Sequence, residues 1–175
     1  SADIKRWLSM LELLHSAARG AAPHLPLILS ASAWSSHRAL IDMDPAPFRN
    51  SDVLFTFHFY EPAALTHQGV PDLNWQYIRD LSWPAKGTLD GAVSRSEEAI
   101  SADQALDDET RKVARARTRR ILVDYFAVDQ GPSRIQAEFA KVAYWASRHN
   151  IPAQRILLGE FGCVHPKGHV DTGWL

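Results

Sequence analysis

The chain has 175 residues, 46% of them hydrophobic and 10% aromatic, which suits one domain with a sizeable core and excludes a disordered segment. Nineteen Lys plus Arg against twenty Asp plus Glu leave a net charge of −1, so no overall field draws the chain to nucleic acid or to an anionic membrane. The single cysteine, Cys163, excludes an internal disulfide framework and a cysteine-rich metal site, and no run of about 18 apolar residues is present to span a membrane.

In chain order, SADIKRWLSMLELL lacks the layout of a secretory leader and reads as a helix already in progress. Ile4, Trp7, Leu8, Leu11 and Leu14 recur at helical spacing, and Gly20 is a plausible stop. LPLILS, residues 25–30, is a continuous apolar run, expected as a strand buried on both faces of a helix-covered parallel sheet. Residues 36–43 follow as a brief helix, broken by the Asp44-Pro45 and Ala46-Pro47 pairs. A second strand spans Val53 to Tyr60, where alternation puts His58 and Tyr60 on one face and Phe57 and Phe59 on the other. The phenylalanines belong under helices; the His and Tyr can share a cavity.

From Glu61 to about Ile100 no period is sustained, so this stretch reads as a long cleft loop carrying Trp75, Tyr77 and Trp83. Such a connection far exceeds the roughly 2–6 residues usual between α/β elements and is therefore expected to be functional. Ser101 with Gln104 fits a capping box that opens a helix to about Val128, ended by Gly131 and Pro132. Ser133 with Gln136 fits a second box, and Ile135, Phe139, Val142, Ala143 and Ala146 form the buried stripe of a helix that stops near Asn150. RILLGEFG, residues 155–162, is the third strand.

The order of elements predicts an α/β fold around a parallel sheet, in which functional residues collect at the C-terminal strand ends. Trp34 follows the first strand, His58 and Tyr60 close the second, and Glu160 closes the third. By position alone, Glu160 is either a structural anion or a catalytic acid, base or nucleophile, and His58 is either a hydrogen-bonded core residue or a site residue. Ser30, Ser32, Ser35 and Ser36 lie in no G-x-S-x-G frame, which argues against a serine hydrolase. His165 and His169 straddle Pro166 and Gly168 without a third ligand, a weak metal signal. The basic block at 111–120 follows Asp107 and Asp108, which pair with Arg111 and Lys112 at four-residue spacing, as on a solvated helix face.

TFHFYEPAALTHQGV, residues 56–70, followed by ILLGEFG, residues 156–162, resembles the later half of glycoside hydrolase family 5, the cellulase-like retaining glycosidases. The resemblance covers essentially the whole chain. It implies a partial (β/α)8 barrel, roughly strands five to seven, with about three parallel strands that do not close on their own, forming one domain over residues 1–175. It also implies that Glu160 is the nucleophile, that Tyr60 orients it and that His58 contacts the substrate. Trp34, Trp75 and Trp83 would offer stacking faces to sugar rings, and His67 and Gln68 would offer donors to their hydroxyls.

By the same resemblance the substrate is a β-glycan polysaccharide or oligosaccharide, no cofactor or metal is used, neither nucleic acid nor membrane is a partner, and the parent protein is secreted or periplasmic. The sequence departs from the pattern in one decisive place: the Asn-Glu-Pro that carries the family's acid/base Glu occurs nowhere. The expectation is therefore a barrel portion whose remaining strands come from the same parent or another chain, inactive alone. The alternative is a carbohydrate-binding or interaction remnant without catalysis.

Overall fold

The structure, a computed structural model, describes residues 2–49, 51–71, 75–128 and 131–164. It is α/β: helices α1 (Ala2–Ala21), α2 (Ser32–Ser35), α3 (His37–Ile41), α4 (Ala63–Thr66), α5 (Leu89–Ala102), α6 (Asp108–Phe126) and α7 (Pro132–Arg148), with strands β1 (Leu27–Ser30), β2 (Val53–Phe59) and β3 (Ile156–Phe161). The strands form one parallel sheet in the order β1-β2-β3, and it does not close into a barrel. The chain divides into two compact units, Ser1–Phe59 with Ala137–Phe161, and Tyr60–Gln136 with Gly162–Leu175.

The first unit holds the sheet. Val53, Phe55, Phe57 and Phe59 alternate along β2 and are all buried. Phe55 meets the Trp145 ring edge-on at 5.5 Å, and Phe57 and Phe59 pack on Phe139 at 5.9 and 4.8 Å, so α7 covers this face as the alternation predicts. Trp145 also donates its indole N–H to the Met43 carbonyl at 2.9 Å, which anchors the helix. The other face is open, contrary to the expectation of strands buried on both sides. Ile28 is 55% exposed and Leu157 39%, because the described elements supply no layer opposite them. In α1, Leu11 is buried as expected, but Leu14 lies outward beside Met10 and Leu13. Trp7 ties α1 to the sheet through a bond from its indole N–H to the Ser30 carbonyl at 3.0 Å.

A second tie in this unit joins α3 to α7. His37, buried, approaches Glu138 through Nε2 at 3.2 Å, and Lys141 donates to the same carboxylate at 2.8 Å. The lysine bond, assisted by that of His37, holds the Glu138 carboxyl below the ordinary value of 4.5. A depressed carboxylate stabilises the fold above its unfolded pKa, and that stabilisation disappears as pH falls through the folded one. The Glu138→Gln variant is therefore expected to melt below the wild type at neutral pH, with the gap closing below pH 4.5. Melting temperatures measured against pH check this; a gap that widens in acid would refute it.

In the second unit, the stretch read as a long loop holds α4 and, from Leu89, the start of α5, while the described residues between Thr66 and Leu89 carry no α-helix or strand. Thr88 caps α5, accepting from the Gly91 N–H at 3.1 Å, and Ala92, Val93, Ser96 and Ile100 form its buried stripe. Ser101 sits near the end of α5 rather than opening a helix. The next helix starts at Asp108 because Asp107 caps it, accepting from the Thr110 N–H at 2.7 Å. That leaves Asp108, not Asp107, to pair with Arg111, at 3.2 Å. Leu65, Ile78, Leu81, Ala92, Leu122 and Tyr125 form the core of this unit. Helix α7 begins at Pro132, one residue before the proposed box, in keeping with proline's preset φ at a first helical position. Asn150, at φ 55°, follows its end in the left-handed region, as its stop role predicts.

Candidate functional site

The sheet brings His58 and Glu160 together. β2 and β3 pair in register from Phe55 with Ile156 to Phe57 with Leu158, then slip by one so that His58 faces Glu160. The extra residue is Gly159, and a Cβ there would lie 2.5 Å from Thr56 Oγ1 and within 3.7 Å of the His58 ring. Only glycine fits this bulge without displacing Thr56. The bulge re-aims Glu160 to the His58 face. His58 Nδ1 then stands 3.0 Å from Glu160 Oε2. The imidazole therefore stands against one oxygen of the carboxylate, within ion-pair distance. The Glu160 side chain is 54% exposed, so the carboxylate is held yet accessible.

Gly159→Ala is expected to destabilise the first unit by about 1–3 kcal/mol through overpacking. In a Thr56→Ala background the cost should fall, because the clashing hydroxyl is gone. A double-mutant cycle by chemical denaturation measures the coupling, and strict additivity would rule out the contact as the cause.

Beyond β1 the backbone enters the left-handed region for three residues, Ala33, Trp34 and Ser35, at φ of 50°, 52° and 59°. Such non-glycine conformations cost roughly 1–3 kcal/mol each and persist only where the surroundings impose them. Here Ser35 donates its hydroxyl to the Thr56 carbonyl at 3.1 Å, and Ser36 bridges to His58 alongside β2. The result leaves Trp34 92% exposed, a large aromatic side chain held out into solvent.

The remaining predicted residues lie in the second unit. Tyr60, just past the end of β2, sets its ring edge-on to His67 at 5.3 Å, and its carbonyl accepts from the Thr66 hydroxyl at 2.6 Å. The His67 ring in turn lies 6.0 Å from that of Trp75, tilted by 34°. Burial lowers the His67 pKa, partly opposed by a backbone bond to Ala63 and by the nearby Glu61 carboxylate. Trp75 and Trp83 are each partly buried against the core of this unit. Gln68 is buried; its amide accepts from the Leu81 N–H at 2.9 Å and donates to the Leu81 carbonyl at 3.2 Å, so both ends brace the loop. His165 and His169 lie outside the described residues.

Thr56, Gly159 and Ser35 were not anticipated as site residues. Only the two glycines flanking Glu160 hint at them in the sequence, since a bulge is a pairing property and cannot be read from one strand. Among the described residues, no three His, Cys, Asp or Glu side chains gather as metal ligands, and no helix is long and apolar enough to cross a membrane.

No family profile matches the chain. It is similar to endoglucanase 3 of Fibrobacter succinogenes, with 21% identity over 166 residues. The aligned region takes in 95% of this chain and 23% of that relative, so the chain spans about a quarter of its length. Among solved structures it resembles the cellulose synthase subunit Z of Clostridioides difficile, at a TM-score of 0.39 and 15% identity, over 89% of this chain and 48% of that one. The sequence likeness is thus to an endoglucanase, at a level that identifies no particular family.

Proposed function

We propose that this chain is the nucleophile-bearing portion of a retaining β-glycan hydrolase of the family 5 type, with Glu160 as the nucleophile. The observation that carries the reading is the His58–Glu160 contact of 3.0 Å at the C-terminal ends of two adjacent parallel strands. A retaining glycosidase attacks the anomeric carbon with one carboxylate while a second, about 5–5.5 Å away, protonates the leaving oxygen and later activates water. Glu160 is accessible, and the His58 imidazole lies against one of its oxygens, which would favour a set position before substrate arrives. Trp34, held outward on a strained turn, would stack on a sugar ring, and Tyr60 would orient the nucleophile. The likeness to endoglucanase 3 supports a glucan substrate.

The acid/base carboxylate and the strands that complete the barrel would come from the rest of the parent, since no Asn-Glu-Pro occurs in these residues. The same observation favours a second reading, a carbohydrate-binding element without catalysis. A 2-fluoro β-glycoside with an activated aryl leaving group separates the two, because such a leaving group needs little acid assistance. Incubated with this chain and with the complete parent, it should add one glycosyl mass on Glu160. If the complete parent shows neither that adduct nor turnover, the catalytic reading fails.

A further inference from the structure

Helix α6 concentrates positive charge in a chain that is otherwise acidic. Residues 111–120 hold six cations and no acid, while the whole chain has a net charge of −1, so the remaining residues carry −7. A merely solvated face would pair these cations with the acids before them. Asp107, however, is occupied in capping the helix, and Asp108 pairs with Arg111 at 3.2 Å. Arg115 donates to the Ser101 hydroxyl at 3.1 Å. Among the described residues, Lys112, Arg119 and Arg120 have no hydrogen-bond or ion-pair partner, although Glu109 and Asp124 lie within about one turn of them along the helix.

The same face is apolar along its centre. Thr118, Leu122 and Tyr125 form the buried side of α6, and turned away from them are Val113, 49% exposed, Ala116, Arg120 and Val123, 40% exposed. These four positions follow one another at intervals of three, four and three residues, the spacing of a heptad seam. Lys112, Arg117, Arg119 and Asp124 stand at its flanks.

We infer that this face of α6 docks an acidic amphipathic helix of a partner protein. The partner's apolar side chains cover Val113, Ala116 and Val123, and its carboxylates meet Lys112, Arg117, Arg119 and Arg120. Arg120 inside the seam selects a partner with an acid opposite it, as polar seam residues do in heterotypic pairs. A second copy is disfavoured: a parallel pair sets Arg120 against Arg120 and Lys112 against Arg117, and an antiparallel pair sets Lys112 against Arg119. Nucleic acid would meet the cations but leave both valines uncovered, and a long polyanion would run into the negative charge of the remaining residues. The seam from Val113 to Val123 is about 15 Å long at 1.5 Å per residue, which suits a small, reversible contact. None of this depends on the glycan reading or on Glu160.

The probe is a labelled synthetic peptide of about three heptads, with Leu at the seam positions and Glu at the flanks, titrated with the complete 175-residue chain. Its fluorescence anisotropy should rise to saturation, with weaker binding at high salt. Lys112→Glu combined with Arg119→Glu should weaken binding at least about tenfold and shift the preference to a peptide with Lys at the flanks. Val113→Ser combined with Val123→Ser should also cost about tenfold, because half-exposed valines lose apolar burial in the complex. All four side chains are exposed, so melting close to wild type is expected. If the double charge reversal loosens α6, Arg119→Gln carries the charge test, with a loss of about threefold or more. Absence of saturable binding, or unchanged affinity in the valine variant or in the charge variant, would overturn the inference. So would equal affinity for duplex DNA or for an acidic peptide with Ser at the seam positions, either of which would make α6 a general anion surface.

Discussion

Glu160→Gln is expected to lower the rate of glycosyl-enzyme formation from the fluorinated substrate by at least about 10³-fold, as removal of a covalent nucleophile does elsewhere. The isosteric amide keeps the volume of the side chain, so circular dichroism and melting should change little. His58→Ala should act more mildly. It removes the group that fixes the carboxylate rather than the carboxylate itself, and an unsupported nucleophile misplaced by about 1 Å loses on the order of 10²-fold. Intact-mass measurement of adduct formation over time reads both variants. Undiminished labelling of Glu160→Gln would move the nucleophile to another residue, and a His58→Ala rate equal to wild type would reduce the 3.0 Å contact to packing.

The largest effect on stability is expected at Phe55. Its ring is fully buried, pairs along the sheet with Leu29 and Ile156, meets Trp145 edge-on at 5.5 Å and carries the Arg155 guanidinium at 5.6 Å from its centroid. Arg155 itself spans to the carbonyls of Val53, Arg49 and Ser51, which fixes the entry into β2. Phe55→Ala should cost about 3–5 kcal/mol from lost transfer energy and the cavity left behind. Set against a total of about 5–15 kcal/mol for a domain, that is enough to shift the urea midpoint far or to abolish folding. A loss below about 1 kcal/mol would mean that the α7 face of the sheet is not the core.

The sequence made the strands legible because their chemistry is local. VLFTFHF alternates, and its phenylalanine parity alone predicted which side α7 would cover. Glu160 stood out as a charge ending an apolar run between two glycines. Partnership was less legible. The approach of His58 to Glu160 was not foreseen, because it depends on the slip at Gly159, which changes which residue of β2 lies opposite. Parity within one strand cannot reveal a bulge on its neighbour. The helix from Leu89 was missed in the irregular reading of residues 61–100 for a different reason. Ala92, Val93, Ser96 and Ile100 do recur at helical spacing after a Thr88 cap, but two of the four are small, so the stripe is faint by hydrophobicity. The Ser101 box competed with it and lost to Asp107, whose side chain reaches its target N–H at 2.7 Å.

The pairing of β2 with β3 also has a kinetic side. β1 meets β2 through Leu27 and Val53, neighbours by the standards of a parallel sheet, whereas Phe55 finds Ile156 only after Tyr60–Gln136 of the second unit and the rest of α7 have intervened. The longer closure spans roughly four times as many residues, which adds about 1.2 kcal/mol of loop entropy at about 0.6 for each doubling. Long-range parallel pairing of this kind is slow to form. The candidate catalytic pair of His58 and Glu160 therefore depends on the longer and entropically costlier of the two closures.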